Sequence, residues 1–287
     1  MIIDSHVHLG SDINLMKSNG LNPSLSSTEL LTLMKSNLVK KSVVFPFPCD
    51  FSSILGKPDY YYENRYIIKQ CKLHKDLVPV LAVHPLHKGS VEDFLKLLKT
   101  NKEIVGCKMH PYYKGFSHKQ LLNGDFLRQL SGLQLYVIID PFSSDGVTTS
   151  KAMDDIILLV KKFENILFQI PHIMNFNETK LKELSCYENV YYDLSPFLRG
   201  IRCVSVEKIK NSNDPRLVLD KILDTVDVRK ILFGTDYPFT YPINPTNKDP
   251  GSTYDEEVSV LNLLTTKEKK LIAEKNYNDL LRKKNEV

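Results

Sequence analysis

The sequence predicts one TIM-type (β/α)₈ barrel spanning residues 1–287. Three observations carry that expectation. Eight short apolar runs of strand length recur along the chain, and stretches with an apolar spacing of about 3.6 residues lie between them. The chain also has the length of one large α/β barrel.

The predicted strands are MIIDSHVH at the start, KSVVFPF at 41–47, LVPVLAVH at 77–84 and EIVGCKMH at 103–110. LQLYVIID at 133–140, NILFQIPH at 165–172, NVYYDL at 189–194 and KILFGTD at 230–236 complete the set. Helical spacing marks SSTELLTLMKSNLV, DYYYENRYIIKQCKLH, VEDFLKLLKT, DDIILLVKKF and DPRLVLDKILDTV. Ser90, with Asp93 three residues on, predicts a capping box, and Asp214 followed by Pro215 predicts a second helix start. The last helix, TKEKKLIAEKNYNDLLRKK, carries Leu271, Ile272, Leu280 and Leu281 on one stripe. The Tyr60–Tyr61–Tyr62 run reads as helix packing. Strands that alternate with helices pair in parallel. An open doubly wound sheet is the rival, but no Gly-rich phosphate loop follows the first strand.

Hydrophobic residues make up 42% and charged residues 25%, ordinary values for a soluble globular chain. A net charge of +4, without a basic stripe, argues against nucleic acid as a partner. No segment reaches the roughly 18 apolar residues of a membrane span, and the start lacks the basic region of a secretion signal. The five cysteines are scattered with no CxxC pair, which fits reduced thiols in a cytoplasm. A cytoplasmic protein acting on a small molecule is expected.

The polar residues on these strands are the informative ones. Side chains alternate along a strand, so Asp4, His6 and His8 are expected on one face, where a buried strand normally places Val, Ile or Leu. His6 and His8 end the first strand, Lys108 and His110 the fourth, Asp140 the fifth, His172 the sixth and Asp236 the eighth. In a barrel those carboxyl ends converge on one mouth. Two histidines at i, i+2 offer imidazole nitrogens to one ion, Asp236 adds an oxygen, and a fourth group closes the shell. Imidazole with carboxylate suits Zn²⁺, with Mn²⁺, Fe²⁺ or Co²⁺ as alternatives. Lys108 reads as a binder of a substrate carboxylate or as a carbamylated bridge, and His110 and Arg199 as further pocket groups. Two long segments, SPFLRGIRCVSVEKIKNSND and the proline-rich YPFTYPINPTNKDPGSTYDEE, are expected on the rim. The rim residues Phe239 and Tyr241 are compatible with a homodimer.

The series DSHVH, GCKMHP, FQIPH and FGTDYP, in that order, resembles the amidohydrolase superfamily. Within it the pattern is similar to the branch that includes aminocarboxymuconate-semialdehyde decarboxylase and lactone or amide hydrolases. The resemblance implies that His6, His8 and Asp236 are ligands of a divalent metal and that His172 acts beside it as an acid, base or electrophile. It departs at the fifth strand, where the family usually has a metal-binding histidine and IIDPF puts Asp140, either as a variant ligand or as a mark of a lost site. Asn276 matches the family's last helix while its arginine is absent. The activity this implies is metal-dependent hydrolysis of a small amide, ester or lactone, with Asp236 and His172 as catalytic groups. Non-oxidative decarboxylation of a small unsaturated or aromatic acid is the alternative, and a degenerate barrel that binds a metabolite or partner is the third reading.

Overall fold

The computed structural model describes residues 1–11, 24–48, 52–142, 150–173, 178–203, 214–240 and 251–286. All eight predicted strands form: β1 (Ile2–His8), β2 (Val39–Phe45), β3 (Leu77–Ala82), β4 (Gly106–Met109), β5 (Tyr136–Ile139), β6 (Leu167–Ile170), β7 (Val190–Asp193) and β8 (Ile231–Leu232). They pair in parallel in chain order, as strands joined by helices must. The seam between β8 and β1 is closed by single hydrogen bonds rather than a regular ladder. Ser5 N donates to Phe233 O (2.9 Å), Asp236 N to His6 O (2.8 Å) and His8 N to Tyr237 O (2.9 Å). This seam sets Asp236 directly beside the two histidines.

The register of β1 against β2 shifts between Asp4 and Val7. A bulge changes which face a side chain takes. Ile3 therefore belongs to the layer inside the barrel and Val7 to the layer outside it. Asp4 does not share the mouth with His6 and His8, contrary to simple alternation. Its carboxylate accepts from Thr235 N (3.0 Å), Thr235 Oγ1 (2.8 Å) and His6 N (3.2 Å), bracing the seam.

Inside the barrel, Ile3, Val43, Phe45, Val80, Ile138 and Leu232 pack with Tyr136 and Tyr191, and Tyr277 and Leu280 of the last helix close the floor. The larger apolar layer lies between the strands and the surrounding helices α1 (Ser27–Ser36), α2 (Tyr61–Leu73), α3 (Lys88–Thr100), α4 (His118–Asn123), α5 (Phe126–Leu130), α6 (Ser150–Lys162), α7 (Glu178–Ser185), α8 (Phe197–Cys203), α9 (Pro215–Thr225) and α10 (Tyr254–Ser259), whereas the last helix, α11 (Asn276–Lys283), packs on the inner layer.

Asp214 caps α9 through Arg216 N, with Pro215 in the first turn, as its sequence predicts. The Ser90–Asp93 box does not form. Helix α3 already begins at Lys88; the Ser90 hydroxyl instead bonds His84 N and Asp59 O, and Asp93 pairs with Arg65 through two contacts of 2.7 Å. The C-terminal segment is not one continuous α-helix. A π-helical turn over Leu271–Lys275 precedes α11 and turns Ile272 O toward Phe233 N (3.1 Å). Asn276 donates to Val228 O and Ile231 O, both at 2.7 Å. The end of the chain thus buttresses β8 just before Asp236. Tyr241 and the prolines at 242, 245 and 250 lie outside the described residues. No helix of the described residues is long and apolar enough to cross a membrane.

Candidate metal centre

His6, His8 and Asp236 meet at the seam. One ligand atom from each lies within 4.8 Å of the others. Both Nε2 atoms stand 3.3 Å from Asp236 Oδ1, and all three side chains are buried. The remaining ring nitrogens are committed elsewhere: His6 Nδ1 to Asp193 Oδ2 (2.9 Å) and His8 Nδ1 to the Pro46 carbonyl (3.0 Å).

The His8 contact decides the chemistry. Burial first, against the attraction of Asp236, pushes His8 down to about 4, so its imidazole is neutral at neutral pH. A carbonyl only accepts, so the single proton sits on Nδ1 and Nε2 presents a lone pair. That lone pair faces a carboxylate oxygen, which also only accepts. Two acceptors at 3.3 Å call for a cation between them. The donor set, two imidazoles and a carboxylate with each imidazole oriented by an outer partner, is that of a divalent transition ion.

The electrostatics agree. Burial and the Lys108 charge push His6 down, but Asp193 and Asp236 outweigh them and lift it to about 9, a measure of how strongly this spot favours positive charge. Asp193 would rise through burial, yet the His6 ring and the Ser195 hydroxyl hold it at about 2. It also accepts from Gln169 Nε2 (2.7 Å) and Ser195 N (3.0 Å). Asp236, opposed by burial, is held well below the usual carboxylate range by His6 and His8.

Deeper in the barrel Lys108 is fully buried. Its ammonium donates to Asp140 Oδ1, stands 3.5 Å from His6 Nε2 and lies 5.1 Å from the Phe45 ring centre. Asp140, expected as a fourth ligand, is thereby engaged by an ammonium and lies outside the His6–His8–Asp236 cluster. The Lys108 charge holds it well below its ordinary range in spite of burial. His172 Nδ1 pairs with Ser195 O (2.7 Å) and its Nε2 stands 3.7 Å from Asp140 Oδ1, with its ring 5.2 Å from that of His6. Both His172 and Asp236 have left-handed backbone, at φ 59° and 58°. Such conformations cost about 1–3 kcal/mol each and persist where surrounding contacts enforce them, typically at functional sites.

His110 is buried beside Tyr60, with its ring 5.8 Å from that of His8. Arg199 starts at the β7 rim and donates to the Phe239 carbonyl. Phe239 is buried, stacked edge-on against His8 (4.7 Å) and near Phe47 (5.3 Å), so it offers no exposed surface for a dimer. The structure brings His6, His8, Asp236, Lys108, Asp140, His172 and His110 to one mouth.

Sequence reasoning misses the groups that orient them. Asp193, the last residue of β7, fixes the His6 ring, and its place at a strand end next to a turn was the available signal. Tyr60 is not helix packing; it precedes α2 in left-handed backbone and reaches His110. Gly234, within FGTD, has His6 Cβ only 2.8 Å from where its own Cβ would stand.

No family model matches this chain, and no curated protein matches it. Solved structures do. A zinc-bound amidohydrolase from Burkholderia multivorans is similar with a TM-score of 0.70 at 14% identity, over 98% of this chain and 99% of that one. 5-Carboxyvanillate decarboxylase from Sphingomonas paucimobilis gives 0.71 at 10% identity, over 98% of both chains. 2,6-Dihydroxybenzoate decarboxylase from Rhizobium gives 0.67 at 12%, over 98% of this chain and 99% of that one. At these identities the likeness establishes the fold: a (β/α)₈ barrel shared with amidohydrolases along nearly the whole chain.

Proposed function

We propose that this protein is a cytoplasmic metal-dependent hydrolase of a small amide, ester or lactone, its ion held by His6, His8 and Asp236. The observation that carries this reading is the convergence of the His6 and His8 Nε2 atoms, each at 3.3 Å, on one Asp236 oxygen. Zinc suits the donor set best, and one of the similar structures contains it. Such an ion supplies Lewis acidity and lowers the pKa of water to about 7.

The residues around it supply the rest. Asp236 accepts the proton of the attacking water and returns it to the leaving group. His172, anchored by Nδ1 to the Ser195 carbonyl, keeps Nε2 at the edge of the site, where its protonated form stabilises a developing oxyanion. The Lys108 ammonium, 3.5 Å from His6 Nε2, adds fixed positive charge next to the reacting centre. Asp193 and Gln169 hold the His6 ring so that its Nε2 stays aimed inward.

Decarboxylation is the second reading, favoured by a specific observation. Phe47 and Phe239 flank His8 as an aromatic wall, and two similar structures are decarboxylases of aromatic acids.

Elemental analysis of the purified protein tests the metal, and product analysis separates the reactions. About one zinc or manganese per chain is expected. Hydrolysis without carbon dioxide release supports the leading reading; stoichiometric carbon dioxide replaces it with the second. A protein that takes up no divalent metal refutes both.

A further inference from the structure

The fourth strand brings another histidine to the mouth, and its hydrogen bonding is unlike that of the other site histidines. His110 is 1% exposed. Its Nδ1 is 3.0 Å from the Tyr60 phenol oxygen, and that oxygen is also 3.0 Å from the Pro48 carbonyl. The carbonyl only accepts, so the phenol gives it its single proton. The imidazole must then donate Nδ1–H to the phenol oxygen. In the neutral ring, which burial above all enforces, the opposite nitrogen is a pure acceptor. That Nε2 is buried and has no hydrogen-bond partner among the described residues.

The arrangement is held firmly. Tyr60 occupies left-handed backbone (φ 63°), its ring is fully buried, and the Lys114 ammonium, itself 2.9 Å from Asp59 Oδ1, lies 4.5 Å from the ring centre. His110 neighbours the candidate ligand His8, its ring 5.8 Å from that of His8 and 6.4 Å from that of Tyr113. A buried acceptor left open in a binding site discriminates strongly between ligands that carry a donor and those that lack one.

We propose that His110 Nε2 is a specificity-determining acceptor, receiving a hydrogen bond from a neutral hydroxyl group that the substrate carries close to its reacting carbonyl. Tyr60 is the positioning residue, because it fixes the tautomer. The substrate class is thus a hydroxylated carbonyl compound, and its unsubstituted or O-methylated analogues are poor ligands. This assignment deepens the proposed function and rests on that reading of the site.

The test uses full-length protein with nitrogen-labelled histidine, loaded with zinc and assayed for zinc content in the same samples. Phenol and anisole, which differ in the donor, are titrated into wild type, Tyr60→Phe and His110→Leu, each checked for folding by its melting temperature. Imidazole nitrogen resonances report the tautomer. In wild type, His110 Nε2 is expected to be unprotonated and to shift on adding phenol, with phenol binding at least about tenfold more tightly than anisole. Tyr60→Phe frees the tautomer and should shrink that ratio below about threefold; His110→Leu should abolish it.

A protonated Nε2 in wild type overturns the proposal. So do equal affinities for the two probes, which would mean that the nitrogen is merely hydrated, and so does phenol binding or failing to bind without any response at His110. Absence of zinc in the samples is the failure of the hydrolase reading instead, and the tautomer, measured equally well in metal-free protein, then decides the His110 assignment alone.

Discussion

Replacing Gly234 with alanine would strike the site through its scaffold. An alanine Cβ would stand 2.8 Å from His6 Cβ, 3.2 Å from Ser195 Cβ and 3.5 Å from His6 N. Carbon atoms pack best at about 3.5–4.0 Å, so the overlap with His6 is about 0.7–1.2 Å. Neither Cβ can rotate away, because each is fixed by its backbone, and that backbone is tied across the seam by Asp236 N to His6 O at 2.8 Å. Either β1 or the segment after β8 has to move. Overpacking of this kind costs about 1–3 kcal/mol. For a chain of this size the melting temperature should fall by about 2–10 °C. The displacement acts on a metal-ligand candidate, and a misplacement of about 1 Å can reduce turnover by about a hundredfold. Thermal melts and a zinc competition titration measure both effects. Gly89→Ala is the control: Gly89 lies in α3, where the added Cβ meets only side-chain atoms at ordinary contact distance, Pro58 Cγ at 3.4 Å, Pro58 Cβ at 3.6 Å and His87 Cε1 at 3.9 Å, and that variant should be neutral or slightly stabilised. A Gly234→Ala protein that melts within about 1 °C of wild type and binds zinc unchanged would refute the close-approach argument.

Asp236→Asn should fold, because asparagine tolerates left-handed backbone, while losing the ligand charge; zinc affinity should drop by at least about a hundredfold and turnover should vanish, and wild-type turnover would remove Asp236 from the mechanism. Glu256 reports on the rim: the Arg202 guanidinium and the Thr253 N–H hold its carboxyl at about 2, against an ordinary 4.5. A depressed carboxyl contributes stability above its ordinary value and loses it as pH falls through 4.5 toward 2, so Glu256→Gln should cost about 0.5 kcal/mol at pH 7, discounted for exposure, and progressively less in acid. Denaturant melts across that range would sink this assignment if the gap between variant and wild type widened on acidification.

Strand periodicity was highly legible, because a buried parallel strand leaves a continuous apolar run whatever its partners do. Position at a strand's carboxyl end was equally legible, and it sufficed to collect His6, His8, Lys108, His110, Asp140, His172 and Asp236 at one mouth. The bulge in β1 was not. It depends on the register against β2, a property of two strands rather than one, and it moved Asp4 out of the pocket and into the seam. Capping at Ser90 failed for a related reason, since its hydroxyl is claimed by Asp59 O, far away in sequence. Tyr60 was hidden because a left-handed backbone turned it from the helix surface toward His110. Each miss was a decision made by tertiary contact.

Charge explains how an aspartate can stand at the fifth strand beside the proposed metal centre. Asp140, Asp193 and Asp236 are all held ionised, and Lys108 is the ammonium set among them. Lys108 and Asp140 cancel as a pair, which leaves Asp193 and Asp236 around two imidazoles, a deficit that one divalent cation fills. A histidine at position 140 would strip Lys108 of its partner and leave a naked ammonium 3.5 Å from His6 Nε2, repelling the ion it was meant to help bind. Asp140→His alone should therefore weaken zinc binding rather than strengthen it, while Asp140→His combined with Lys108→Met should recover much of the affinity. A zinc titration of the two variants in parallel decides the matter. Tighter binding by the single variant would show that Asp140 is a poor substitute for a ligand, and that its ion pair with Lys108 is not what balances this site.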